Sequence, residues 1–232
     1  MIKEAIILAG GLGTRLRTVV SDVPKCMAPV NTVPFISLVI NYLQAEGIQH
    51  FIFSLGYKSE SIIEFVEEKY KSLHKTYVIE KEPLGTGGAI KEACTKAKGE
   101  NVLVLNGDTL FKISLKSLSN LHVRKNADCT IALKEMINIE RYGTVDINNG
   151  NAVIAFTAKR FCQKGLINGG IYALNTKSFL KENLPEVFSF EKDYLERLFS
   201  VRAIFGLKQN NHFIDIGIPE DYERAQAELI EA

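Results

Sequence analysis

The sequence predicts an α/β fold with a mostly parallel mixed central sheet, helices on both faces, and a less regular second half. Three observations carry this expectation. Apolar runs of strand length alternate with amphipathic runs of helix length through the first half of the 232 residues. Short apolar runs separated by helices imply crossover connections, and hence parallel strands. After Asp108 the pattern loosens into strands separated by turn residues, which suggests an antiparallel or mixed extension forming a second wall of a cleft.

Taken in order, Glu4 to Ala9, His50 to Leu55, Lys75 to Glu80 and Asn101 to Asn106 read as strands. The segments near Pro34 to Glu46, Ser59 to Lys71 and Thr86 to Lys98 read as the helices between them. Ligands of such sheets sit beyond the strand carboxyl ends. Cys129 to Glu135, Gly143 to Ile147, Val153 to Thr157 and Ile167 to Leu174 continue as strands, with Asn148-Asn149-Gly150 as a turn. Glu191 to Ser200 and Pro219 to Glu231 close the chain as helices, the latter with proline in its first turn, where a missing amide hydrogen costs least. No repeat, low-complexity tract or linker interrupts residues 1–232, which are read as one domain.

Composition excludes several classes. With 46% hydrophobic and 24% charged residues the chain is expected to be soluble and globular. Lysine plus arginine count 28 against 27 acidic residues, a net charge of +1, so no global field draws it to nucleic acid or to an anionic membrane. Anionic ligands must therefore be met by local charge. Cys26, Cys94, Cys129 and Cys162 lie far apart without a CxxC pair, arguing for idle thiols in a reducing cytoplasm rather than zinc or redox chemistry. The apolar run Ala5 to Ala9 is too short for a signal peptide, and no segment is long and apolar enough to span a bilayer.

The chemistry concentrates at three glycine- and aspartate-rich strand ends. In Leu8 to Arg17, LAGGLGTRLR, a strand ends in glycines and then delivers a threonine and two arginines. Glycine lets backbone amides approach a phosphate closely, and arginine supplies charge. Leu16 stands where a dinucleotide fingerprint needs its third glycine, and no Gly-Lys-Ser/Thr follows, so neither that motif nor a Walker loop is present. Together with Val23-Pro24-Lys25, the segment resembles the opening motif of the sugar-phosphate nucleotidylyltransferase family. The resemblance implies a Rossmann-like, three-layer GT-A-like fold, with a nucleotide-binding part over about 1–110 and a sugar-binding part over about 111–232. It also implies that the length leaves no room for the C-terminal β-helix of larger relatives. By the same resemblance, the backbone of Leu8, Ala9, Gly10, Gly11, Gly13 and Thr14 holds the triphosphate with Arg15 and Lys25, the last two stabilising the transferring phosphoryl group.

The second strand end, Glu80 to Ile90, resembles the family's Pro-Leu-Gly-Thr-Ala/Gly-Gly motif, placing Pro83, Gly85, Thr86 and Gly87 beside the nucleobase. Glu80 stands where relatives using uridine or thymidine nucleotides tend to carry glutamine. A carboxylate only accepts hydrogen bonds, and guanine offers two adjacent donors where uracil offers one, so Glu80 argues for GTP. A bond from Glu80 to Lys81, Lys91 or a nearby backbone amide is the plainer alternative.

The third, Val102 to Phe111, carries Asn106, Gly107 and Asp108 at the end of an apolar strand, and Asp215 lies in a late apolar run before Gly217. Two carboxylates on separate elements suit Mg²⁺, which takes a few carboxylates plus phosphate and water oxygens. The family's matching aspartates bind that metal, so Asp108 and Asp215 inherit the role by resemblance. On the acceptor side, Tyr142-Gly143, Lys159 and Asn168-Gly169-Gly170-Ile171-Tyr172 resemble the family's sugar-facing glycine, its phosphate-binding lysine and its Asn-Ala-Gly-Ile-Tyr strand. Asp215 is expected to face the sugar phosphate as well. Ala158 and Arg160 replace the glutamate and proline that flank the family's lysine, which removes an acceptor for sugar hydroxyls. Glu191-Lys192-Asp193 matches a family Glu-Lys-Asp stretch, and acidic residues in a first helical turn explain it equally.

These assignments imply transfer of GMP from GTP to a sugar 1-phosphate, with D-glycero-α-D-manno-heptose 1-phosphate favoured, for surface-polysaccharide or S-layer glycan precursor synthesis. Mannose 1-phosphate, a CTP-, UTP- or dTTP-dependent reaction and a silent nucleotide-sugar sensor are the alternatives, and the reading leaves room for a homo-oligomer. The chemical obstacle is repulsion: two like charges 4 Å apart cost about 4 kcal/mol at an effective dielectric near 20.

Overall fold

The computed structural model describes residues 1–11, 13, 16, 19–20 and 23–229. The expected alternation forms the first half. Strand β1 (Glu4–Ala9) leads to a short hairpin, β2 (Pro29–Val30) and β3 (Val33–Pro34), and then to α1 (Phe35–Ala45). There follow β4 (His50–Leu55), α2 (Ser59–Lys69), β5 (Lys75–Ile79), α3 (Gly85–Cys94) and β6 (Asn101–Asn106). β1 runs parallel between β4 and β6, and β5 lies parallel outside β4. Residues alternate between two cores: Ala5, Ile7, Phe51, Phe53, Leu103 and Leu105 face one, while Ile6, Ile52, Val102 and Val104 face the other. Burial on both faces explains why these strands are continuously apolar. Ile36 of α1 and Ile62 of α2 fill the first core, and Ile90 and Ala93 of α3 fill the second.

The second half comprises β7 (Thr109–Phe111), α4 (Leu115–Arg124), β8 (Cys129–Ile139), β9 (Thr144–Ile147), β10 (Val153–Thr157) and β11 (Cys162–Asn175). It continues through α5 (Thr176–Leu180), a π-helical turn over Phe190–Glu196, β12 (Ile204–Gln209), β13 (Phe213–Asp215) and α6 (Pro219–Glu228). β11 pairs antiparallel with β6, β8 and β9, and β12 joins β8 in parallel, giving a mixed nine-stranded sheet. Its register shifts between Asn168 and Tyr172. Gly170 there has φ +71°, and a Cβ on it would sit 2.9 Å from Asn106 Nδ2, so a glycine lets β11 pass close to the carboxyl end of β6. β7 and β13 form a separate antiparallel ribbon with Asp215 opposite Thr109, and the Ile216 amide donates to the Asp108 carbonyl at 3.0 Å.

Several elements depart from expectation. α3 stops at Cys94 rather than Lys98, because the Lys98 and Gly99 amides turn to donate to the buried Glu4 carboxylate. α4 was not anticipated; its stripe of Leu115, Leu118 and Leu121 is interleaved with polar residues, and Ser114 caps it by accepting from the Ser117 amide. β2, β3, α5 and β12 were also missed, being short or, in β12, broken by a glycine and two polar residues. The expected helix from Glu191 to Ser200 begins as a widened π turn in which Phe190 and Tyr194 stack at 5.2 Å and pack edge-on to Phe179. Among the described residues no helix is long and apolar enough to cross a membrane.

Candidate active site

The carboxyl ends of β1, β4 and β6 open onto a cavity of about 710 Å³. Leu8 through Gly11 and Gly13 line it from the first strand end, with Lys25 beyond. Asn106, Gly107 and Asp108 line it from β6, and Glu80, Pro83, Gly85 and Thr86 from the turn into α3. Thr14 and Arg15 lie outside the described residues. Gly87 is not among the residues that line the cavity: a Cβ on it would lie 2.1 Å from the Phe188 ring, and its amide donates to the Phe188 carbonyl at 2.9 Å. It lets the turn seat against the second half. Ser54 also lines the cavity, its buried hydroxyl unpartnered among the described residues, and no sequence pattern marks it.

Glu80 is half-buried, and its Oε2 accepts from the Leu84 amide at 3.0 Å. The plainer alternative therefore holds for one oxygen. Oε1 faces Gly10, where a Cβ would meet it at 3.2 Å. Burial lifts the Glu80 carboxyl above its ordinary range; the Leu84 amide opposes this and the Glu92 charge adds to it.

Lys25 sits in a single 3-10 turn after Pro24, and its ammonium lies between two carboxylates. It pairs closely with Asp108 Oδ2 and stands 3.9 Å from Asp215 Oδ1. The β7–β13 ribbon makes this possible: it sets Asp215 opposite Thr109, the residue that follows Asp108. Asp215 also accepts from the Gly217 amide at 2.7 Å and from the Tyr142 hydroxyl at 3.3 Å. Burial raises its pKa and the Asp108 charge raises it further, against the pull of Lys25 and the Gly217 amide. Two hard-oxygen ligands thus converge on one cation position, a donor set that fits a divalent metal sharing its coordination with phosphates. Among the described residues no group of three or more His, Cys, Asp or Glu gathers as a metal cluster.

A second cavity of about 400 Å³ adjoins the first, and Asn106, Glu191 and Gly217 line both. The expected Lys159, Asn168, Gly169, Gly170 and Asp215 line it. Lys159 is exposed on the loop between β10 and β11. Asn168 is fixed by donating to Tyr172 Oη at 2.8 Å and accepting from the Gly170 amide at 3.0 Å. Gly143 is not among the residues that line this cavity: a Cβ there would lie 2.6 Å from the Thr157 carbonyl, so a glycine lets β9 approach β10. Arg141 and Asp221, joined at 2.5 Å, also line the cavity and were not foreseen. Asp221 lies in the first turn of α6, where an acidic residue reads as helix-end complementarity, and nothing in the sequence pairs it with Arg141.

Comparison with known proteins agrees with this geometry. The family described as nucleotidyl transferase matches residues 4–232. A D-glycero-alpha-D-manno-heptose 1-phosphate guanylyltransferase of Aneurinibacillus thermoaerophilus is 50% identical over 97% of this chain and 98% of its own. One of the same description from Campylobacter jejuni is 46% identical over 94% of this chain and 96% of its own. The crystal structure of HddC from Yersinia pseudotuberculosis complexed with GMP-PN superimposes with a TM-score of 0.88 at 36% identity, covering 97% of this chain and 99% of that one.

Proposed function

We propose that this chain, which belongs to the nucleotidyl transferase family, transfers GMP from GTP to a sugar 1-phosphate, with D-glycero-α-D-manno-heptose 1-phosphate as the acceptor. The observation that carries the reading is the junction of two cavities, with Lys25 set between Asp108 and Asp215 beside it. The larger cavity has the glycine-lined floor a triphosphate needs, and the smaller has the polar lining a sugar needs. The relatives' described activity supports guanine and heptose, and Glu80 supports guanine independently, since an acceptor-only side chain suits the N1–H and 2-amino donors.

In the reaction an oxygen of the sugar 1-phosphate attacks the α-phosphorus of GTP. The new P–O bond forms as the bond to the β-phosphate oxygen breaks, and pyrophosphate leaves with that electron pair. No protein nucleophile is needed, because the acceptor is already an anion. What the protein must supply is position and positive charge. The backbone at Gly10, Gly11 and Gly13 cradles the triphosphate, Lys25 neutralises charge developing on the leaving group, and Lys159 holds the acceptor phosphate in line. Asp108 and Asp215 would hold Mg²⁺, which when bound offsets phosphate charge. Thr86 and Glu191 brace the nucleotide turn against the acceptor side.

Incubation with GTP, Mg²⁺ and a panel of sugar 1-phosphates tests this directly. A product with the mass of GDP-heptose, with stoichiometric pyrophosphate, is expected. Faster pyrophosphate release with CTP, UTP or dTTP than with GTP would overturn the guanine assignment. Binding of GDP-sugar without turnover in any combination would overturn the enzymatic one.

A further inference from the structure

The acceptor cavity holds three carboxylates, and they differ in what remains to bind a ligand. Asp221 is buried and its two oxygens are taken by Arg141 and Arg224. Asp215 accepts from the Gly217 amide and the Tyr142 hydroxyl beside Lys25. Glu191 is different. Both of its hydrogen bonds, from Thr86 Oγ1 at 2.8 Å and Ser189 Oγ at 3.1 Å, fall on Oε2, and Oε1 has no partner among the described residues. The side chain is therefore held from one side only, and it lines both cavities.

A sugar entering this cavity brings several hydroxyl donors that lose water and need acceptors. Arg141 and Lys159 can only donate. Asn168 is already committed to Gly170 and Tyr172, and position 158, next to Lys159, is an alanine. Among the described residues that leaves one carboxylate oxygen in the cavity without a partner.

Building on the proposed function, we infer that Glu191 is a specificity-determining residue whose Oε1 accepts a hydrogen bond from a hydroxyl of the acceptor sugar. Thr86 positions it, so the residue that reads the sugar is oriented by the turn that holds the nucleotide. Because the hydrogen bond runs to an ionised group, its loss is a measurable fraction of acceptor recognition.

Steady-state kinetics with GTP and D-mannose 1-phosphate, its monodeoxy analogues, and the heptose 1-phosphate decide the matter. Glu191→Gln, whose amide oxygen can still accept from Thr86, is expected to lower kcat/KM for the sugar on the order of 10- to 100-fold with a much smaller change in the KM for GTP. One deoxy position that weakens the unmodified enzyme should have no further effect in the variant, whereas the other positions keep theirs. Glu191→Asp, which withdraws the carboxylate by one methylene, should move the same way and serves if the glutamine variant fails to bind GTP. A rise in the KM for GTP matched by Thr86→Val, with every deoxy effect intact in both variants, would make Glu191 a brace only and overturn the inference. If the unmodified enzyme turns over no acceptor, the proposed function itself fails, a result distinct from any obtained with the variants.

Discussion

The two walls of the cleft are built from different materials. The donor wall is rich in backbone, namely the carboxyl ends of parallel strands and the glycine turns that leave them, with charge among the described residues at Lys25, Asp108 and Glu191 and on the run Glu80-Lys81-Glu82. The acceptor wall is mostly side chains on antiparallel strands and loops, held by contacts such as Arg141 with Asp221 across 80 residues. A wall of amides presents the same groups whatever the side chains do, so it can bind a triphosphate through extensive sequence drift. A wall of side chains is re-cut by each substitution. The contrast teaches that the triphosphate cradle is set by the fold, whereas the base and the acceptor are chosen by side chains placed on it.

Substitutions across the two walls can break or sharpen this contrast. The largest effect is expected at the seam: Asp108→Asn should lower turnover about 10³-fold, roughly 4 kcal/mol, with circular dichroism and melting temperature retained. Turnover near that of the parent would remove Asp108 from the chemistry. Lys25→Ala comes next, with kcat down on the order of 10²-fold for every acceptor alike, because it serves a charge common to all of them. A loss confined to one sugar would place Lys25 on the wrong wall. Lys159→Ala should raise the KM for the sugar 1-phosphate roughly tenfold and leave the KM for GTP as it was, which is the signature of a group that meets only the acceptor. Equal changes in both constants would dissolve the division. The smallest effect belongs to Glu80→Gln, for which the preference for GTP over UTP should fall about tenfold in competition, since a glutamine can both donate and accept. An unchanged ratio would show that the Leu84 amide is the whole purpose of that carboxylate.

The same contrast explains what could be read from the sequence. Donor strands are buried on both faces and therefore appear as unbroken apolar runs, and their glycine ends are compact motifs within a few residues. The turn containing Gly87 was legible as a motif, but the packing that demands glycine there was not, because it comes from Phe188, far along the chain. The need for glycine at 143 was hidden in the same way, its neighbour being the Thr157 carbonyl. The two aspartates were foreseen as one metal pair, yet only the β7–β13 ribbon, with Asp215 opposite Thr109, shows how they come to lie beside one ammonium. Arg141 and Asp221 had no local signal at all, since a long-range ion pair leaves no periodicity behind. Helix α4 was hidden by polar residues that its exposed face requires.

The seating of Phe188 over Gly87 has a consequence for recombination. Grafting the acceptor half of a relative onto this donor half, with the crossover anywhere between β6 and the Phe188 loop, would import a foreign ring to a slot cut for this one. The Gly85 and Gly88 backbones meet the same loop, where added Cβ atoms would fall 2.6 Å from the Phe188 carbonyl and 2.4 Å from the Glu186 carbonyl. A hybrid intended to change the sugar alone should therefore carry residues 184–190 over from the donor's own parent, or exchange them together with the turn at 83–88. The unit of inheritance in this protein is the interlocked pair of segments, not either half of the chain.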